Sequence, residues 1–201
     1  KTGLTDAEYH TARILMLLYI YRLPIWQTLL FLLLAAVFWV LLGGLLDSAL
    51  PWGRRIWRSG CGVLAGVWLL AVLQATIFSR SPGAYEVCLA PLEQLRQVLR
   101  GGNRELLRSA WMNVLLFIPG GLSLAELLPV RWSAKRRFRL ALGGLVLFSV
   151  GIEAVQWHWR LGQVETDDCL ANALGAILGL LLFRLRLFAA AWIRNRKKPA
   201  S

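Results

Sequence analysis

The residues best suited to chemistry crowd into one stretch, GIEAVQWHWRLGQVETDDCLANALGAILG, positions 151–179. It holds Glu153, Gln156, His158, Arg160, Glu165, Asp167, Asp168 and Asn172 between apolar flanks. Three chemistries suit such a set. Glu153, Asp167 and Asp168 could exchange protons as general acid or base, with His158 assisting. The same carboxylates could hold a divalent cation, because Mg²⁺ and Ca²⁺ take oxygen ligands. Alternatively, Glu153, Gln156, Asp168 and Asn172, together with Asn113, could line a non-catalytic pocket that hydrogen-bonds a guest. No nucleophile–base–orienter set is legible, and neither HExxH nor GxSxG occurs. The pocket is therefore favoured over the enzyme, with no cofactor expected and no metal assigned.

The elements that must position these groups follow from composition. The 201 residues are 57% hydrophobic and 17% charged, with mean hydropathy +0.55. A bilayer crossing takes roughly 20 apolar residues. Residues 25–46 and 59–79 carry no charge, and 109–128, 138–158 and 169–187 are apolar runs interrupted by polar residues. The expectation is an all-α polytopic transmembrane bundle of about five spans. Residues 11–21 are too short to span and read as an interfacial helix ahead of the first crossing. The domain reading is 1–58 for that helix and an extra span, 59–187 for the main membrane domain, and 188–201 for a basic tail.

A net charge of +12 would suggest nucleic acid in a soluble chain. Here no nucleic-acid motif appears, and the basic residues flank spans, where they set orientation. Arg54, Arg55 and Arg58, the cluster from Arg131 to Arg139, and the C-terminal stretch from Arg184 to Lys198 fall on one side. Fewer fall on the other. The expected location is a bacterial cell membrane, with the N-terminus outside and the C-terminus cytoplasmic. The 80–108 and 159–168 loops then face outward. Cys61, Cys88 and Cys169 lack metal spacing; Cys88 and Cys169 fall on one side, where a disulfide between them is the alternative to the favoured unpaired thiols.

Within the spans, Glu153 and Gln156 are three apart and share a helix face. An ionisable side chain in lipid costs at least about 2.5–3.5 kcal/mol on insertion scales, so it faces the bundle interior and finds a partner. Asp168, Asn172, Gly175 and Gly179 form one stripe on the last span, polar at its outer end and suited to close helix contact at its inner end. Thr166 or Asp167 can cap that helix, whose positive N-terminal end favours Glu165, Asp167 and Asp168. Pro119-Gly120-Gly121 interrupts the third span, as a packing kink or as a broken helix opening on a cavity. In the outer loop, Leu92, Leu95 and Leu99 make an apolar stripe fit for the bilayer surface. Arg96, Arg100, Arg104 and Arg108 recur every four residues there. They suit either a lipid phosphate or ordinary interfacial anchoring with Glu93 and Glu105. Gly62-xxx-Gly66 and Gly175-xxx-Gly179 could also pack a partner subunit or a second copy.

Three stretches in order, CLAPLEQ, NVLLFIPGG, and GIEAVQ followed by ETDDCLANALGAILG, resemble the VanZ-like family of small bacterial membrane proteins over roughly residues 60–185. Pro91, Asn113, Phe117, Pro119, Gly121, Glu153, Gln156, Asp168, Asn172, Gly175 and Gly179 carry the resemblance. The chain departs at Cys88, where asparagine is frequent, and at Gly120, where a bulky apolar residue is usual. Glu165 stands where aspartate is common, and Arg160 lies earlier than the usual arginine. The resemblance implies a role linked to glycopeptide resistance, teicoplanin and lipoglycopeptides above all. The expected partners are membrane lipids, a lipid-linked cell-wall precursor, or the drug itself.

Overall fold

The computed structural model describes residues 25–80, 82, 87–88, 90–93, 96–97, 100, 104–162 and 164–196. The interfacial helix expected at 11–21, Leu95 and Leu99 of the loop stripe, and Lys197 and Lys198 lie outside these. Five helices follow one another: α1 (Ile25–Ala49), α2 (Gly53–Leu73), α3 (Arg104–Leu127), α4 (Ala134–Trp159) and α5 (Thr166–Arg196). The chain is an all-α bundle, as its composition dictates. Four segments are long and apolar enough to cross a membrane: Gly53–Phe78, Leu106–Leu127, Ala134–Trp159 and Thr166–Arg196. α1 is 25 residues long, and its described apolar part, Val37–Ala49, is shorter than the others. The chain divides into two units, Lys1–Trp39 and Val40–Ser201. The first contributes the opening turns of α1; every contact below belongs to the second.

The helices overrun the apolar blocks. α2 begins six residues before the charge-free run, and α5 continues to Arg196, through most of the presumed tail. Long arginine side chains permit this, because their stems stay apolar while the guanidinium reaches water or a partner. Local signals set the ends. The Ser133 hydroxyl accepts the Arg136 N–H at 3.2 Å and caps α4. α4 stops where Arg160 turns left-handed (φ 54°), followed by Gly162 at φ 111°.

α3 is not broken at Pro119; it runs through the proline without interruption. Proline removes one backbone donor and crowds the preceding turn. In that preceding turn Trp68 of α2 donates its indole N–H to the Leu116 carbonyl at 2.7 Å, tying α2 to the crowded stretch of α3. The Trp68 ring lies where a Cβ on Gly120 would have to go. The departure at Gly120 is thus matched by a tryptophan filling the same space from another helix. Trp68 also stacks edge-on with Phe117, with ring centroids 5.8 Å apart.

The most extensive helix contact is α3 against α5. A Cβ on Gly175 would overlap the Val114 carbonyl oxygen, and one on Gly179 the Ile118 carbonyl oxygen. These helices therefore meet backbone to backbone. The Gly175–Gly179 stripe is consumed within the chain and is closed to any partner subunit. Gly66, by contrast, has nothing within 4 Å. Two apolar clusters fill the bundle's middle, one with Trp68, Phe117, Leu145, Ile152 and Ala176, the other with Ala125, Ala141, Leu180 and Phe183.

Candidate functional site

Polar groups gather at both ends of the bundle, with those apolar clusters between them. One end is built where α2 and α4 finish and α3 and α5 start. Ser149, Glu153 and Gln156 sit four and three apart on α4 and are all buried. Asp168 and Asn172 sit four apart on α5. Asn172 donates to the Ser149 hydroxyl at 2.8 Å, and the Asn113 side chain of α3 hydrogen-bonds Asp168. The Asp168 charge acts on Glu153, and the Arg80 guanidinium acts on both carboxylates. Among the described residues neither carboxylate has a cation in salt-bridge contact. The Oε1 of Gln156, the Oδ1 of Asp168 and the Oδ1 of Asn172 are buried with no hydrogen-bond partner among the described residues. This end is rich in acceptors and short of donors.

α2 contributes in a way its sequence does not announce. The turn that continues it, Gln74–Phe78, is π-helical, a form that appears mostly as single-turn bulges, frequently at functional sites. Gln156 donates its amide to the Thr76 carbonyl at 2.9 Å, and the Thr76 hydroxyl bonds the Val72 carbonyl at 2.7 Å. The turn also sets Arg80 beside the Leu161 carbonyl, 3.5 Å from its Nη1.

The connecting loops are tied across this end. Val87–Cys88 (β1) pairs in parallel with Val164–Glu165 (β2), Val87 opposite Val164 and Cys88 opposite Glu165. The Glu165 N–H donates to Glu153 Oε2 at 3.3 Å. The Leu92 N–H, on a residue held at φ 62°, donates to the Asp167 carboxylate. Beside Asp167 an apolar groove of about 280 Å³ runs between α3 and α5, lined by Leu92, Leu107, Trp111, Val114, Leu170 and Leu174.

The residues singled out from sequence therefore divide. Asn113, Glu153, Gln156, Asp168 and Asn172 converge from three helices. Asp167 instead accepts the Leu92 N–H. His158 is exposed and lies edge-on to Trp159, with ring centroids 5.6 Å apart, turned away from the buried carboxylates. Arg96 and Arg100 are exposed, and Arg96 pairs with Glu93 at 3.5 Å on its own turn. Among the described residues no three His, Cys, Asp or Glu side chains are grouped to hold a metal ion. Cys61, Cys88 and Cys169 are free thiols. Ser149, Thr76 and Arg80 were not anticipated. Ser149 could have been found one turn before Glu153; Arg80 and Thr76 carry no such signal.

The other end of the bundle was missed altogether. Asp47 of α1 and Glu126 of α3 are buried beside Arg137 of α4 and Arg186 of α5. Arg186 pairs with Asp47 at 2.9 Å and with Glu126. Arg137 pairs with Glu126 at 3.8 Å and covers the Phe183 ring. Arg54 and Arg194 also bind Asp47, at 2.7 and 3.5 Å. Arg58 donates to the last carbonyls of α3, those of Glu126, Leu127 and Leu128, closing that helix. A buried acid within a span was the available signal: Glu126 met the criterion that singled out Glu153.

Helices of this length, packed through glycine and carrying buried ionisable groups at both ends, define a multi-pass membrane protein. A VanZ/LLP1 family profile matches residues 61–188, well over half the length, and the chain belongs to that family. No curated protein and no solved structure matches it. The matched region contains every residue of the carboxylate end named above. α1, with Asp47, precedes it.

Proposed function

We propose that this protein holds an amphiphile at the outer leaflet, and that through this binding it acts in glycopeptide and lipoglycopeptide (teicoplanin) resistance. The single observation that carries the reading is the convergence of Asn113, Glu153 and Asp168 from three helices, at the end of the bundle where Asp167, next in the chain to Asp168, lines an apolar groove between α3 and α5. Ligand sites of this kind pair an apolar lining with a few placed polar groups. The groove suits an acyl or prenyl tail. The unpartnered acceptors suit a head that donates hydrogen bonds through hydroxyl or amine groups. A lipid-linked cell-wall precursor has that build, as does the lipid-bearing, glycosylated drug. The excess of basic residues around the opposite end supports placing the carboxylate end outside. The resistance role rests on family membership.

The test is a teicoplanin susceptibility assay in a sensitive host expressing the wild type, Glu153→Gln or Asp168→Asn, with membrane abundance followed by immunoblot. Both variants should lose resistance at unchanged abundance. Full resistance from both would remove the carboxylate end from the account.

A further inference from the structure

The end of the bundle away from that site carries an imbalance of charge. Two carboxylates, Asp47 and Glu126, stand among five guanidiniums, those of Arg54, Arg58, Arg137, Arg186 and Arg194. Arg186 and Arg137 are buried and spend their charge on the acids, while Arg58 is occupied by the end of α3. Arg54 and Arg194 differ. Both lean on Asp47, a carboxylate already bonded to Arg186, and their side chains are 43% and 44% exposed. One negative charge is thus shared by three guanidiniums. Two of them, from the start of α2 and the end of α5, retain donors turned to the surroundings.

Those surroundings are the bilayer boundary. The segment of α2 long and apolar enough to cross a membrane begins at Gly53. Trp52 and Trp192, 53% and 49% exposed, flank the two arginines, and tryptophan concentrates at the headgroup level. Ile56 and Phe188, further into α2 and α5 than the two arginines, are exposed as well. The anion at that depth is a lipid phosphate, and the planar guanidinium fork matches phosphate oxygens.

We infer that Arg54 and Arg194, braced by Asp47, form a binding site for the phosphate of an anionic phospholipid. Asp47 supplies the geometry. It fixes two flexible side chains from different helices so that their outward donors face one headgroup, and the shared phosphate completes the neutralisation that Asp47 leaves unfinished. The site stands on residues outside the carboxylate end and does not depend on which end faces the cytoplasm.

The experiment uses the full chain purified in detergent, titrated with dioleoylphosphatidylglycerol and read by native mass spectrometry. Dioleoylphosphatidylcholine is the neutral comparison. Wild type should retain phosphatidylglycerol in preference to phosphatidylcholine. Arg54→Gln/Arg194→Gln should reduce that occupancy about tenfold, while Arg55→Gln/Arg184→Gln, which removes two exposed arginines outside the network, should leave it unchanged. Arg194→Gln alone keeps Arg54 and Arg186 on Asp47, so the fold stands, and it should still lower occupancy about threefold. Equal losses from the two double variants, or no loss from Arg194→Gln, would overturn the site. Displacement of the lipid by millimolar inorganic phosphate would overturn the assignment to a lipid and leave a free-phosphate site.

Discussion

At the arginine end, Asp47 and Glu126 are met by guanidiniums at salt-bridge distance, and the buried guanidinium nitrogens left without a hydrogen bond among the described residues, Arg137 Nε and Arg186 Nε, are donors on side chains that already pair with an acid. At the carboxylate end, Glu153 and Asp168 feel Arg80 only at longer range, and three buried acceptors have no donor among the described residues. Both ends sit in helices of similar apolarity, under the same cost of removing charge from water. The difference teaches where each cost is met. The arginine end meets the cost of its buried charges internally, from five helices, and so fastens the bundle, with its surplus left only on the half-exposed Arg54 and Arg194. The carboxylate end leaves it partly unanswered, and an under-satisfied polar group held in a packed core is where a guest finds its contacts. Buried charge alone does not mark a binding site; buried charge without its complement does.

The comparison can be broken most forcefully at the arginine end. Glu126→Ala strands Arg137 without its carboxylate and leaves Arg186 to Asp47 alone, and removing one partner of a buried pair costs about 3–5 kcal/mol. Chemical denaturation in detergent should show that loss. Stability unchanged within error would mean the network does not fasten the bundle. Gly175→Ala acts on the seam that carries both ends. Its methyl must push α3 off α5, an overpacking of about 1–3 kcal/mol visible as a lower melting midpoint.

The carboxylate end should respond in the opposite sense. Glu153→Gln removes one of two neighbouring acids and keeps the shape, so stability should hold or rise by less than about 1 kcal/mol, while the guest is lost. A fall as large as that of Glu126→Ala would erase the distinction between the two ends. Arg80→Gln sharpens the same point. Glu153 and Asp168 would lose their nearest cation, so binding should change while thermal unfolding moves by no more than about 1 kcal/mol. The smallest effect belongs to His158→Ala, on an exposed ring outside the cluster, with a shift in stability within about 0.5 kcal/mol and full resistance.

Much of the carboxylate end could be read before any fold was known, because its members lie on single-helix stripes. The three-residue step from Glu153 to Gln156 and the four-residue steps through Asp168 and Asn172 place them on faces that an apolar helix must turn inward. Arg80 escapes such a reading, since a π-helical turn shifts the register that would locate it. The arginines invited the opposite misreading. Arg54 and Arg186 fit so well as flanking charges that set orientation that nothing in their spacing marked them as partners.

The amino-acid sequence by itself determined the class: charge-free runs of bilayer length leave helices as the only way to satisfy the backbone in lipid, and periodicity fixes which side chains each helix turns inward. The tertiary structure alone decided which inward faces meet. Asp47 and Arg186 are 139 positions apart, and their contact depends on the glycine-thin seam between α3 and α5, on the turn at Pro51 and on the reach of an arginine side chain. Helical periodicity is a property of neighbours along the chain. The pairing of charges across five helices is a property of how those helices pack, and no local pattern encodes it.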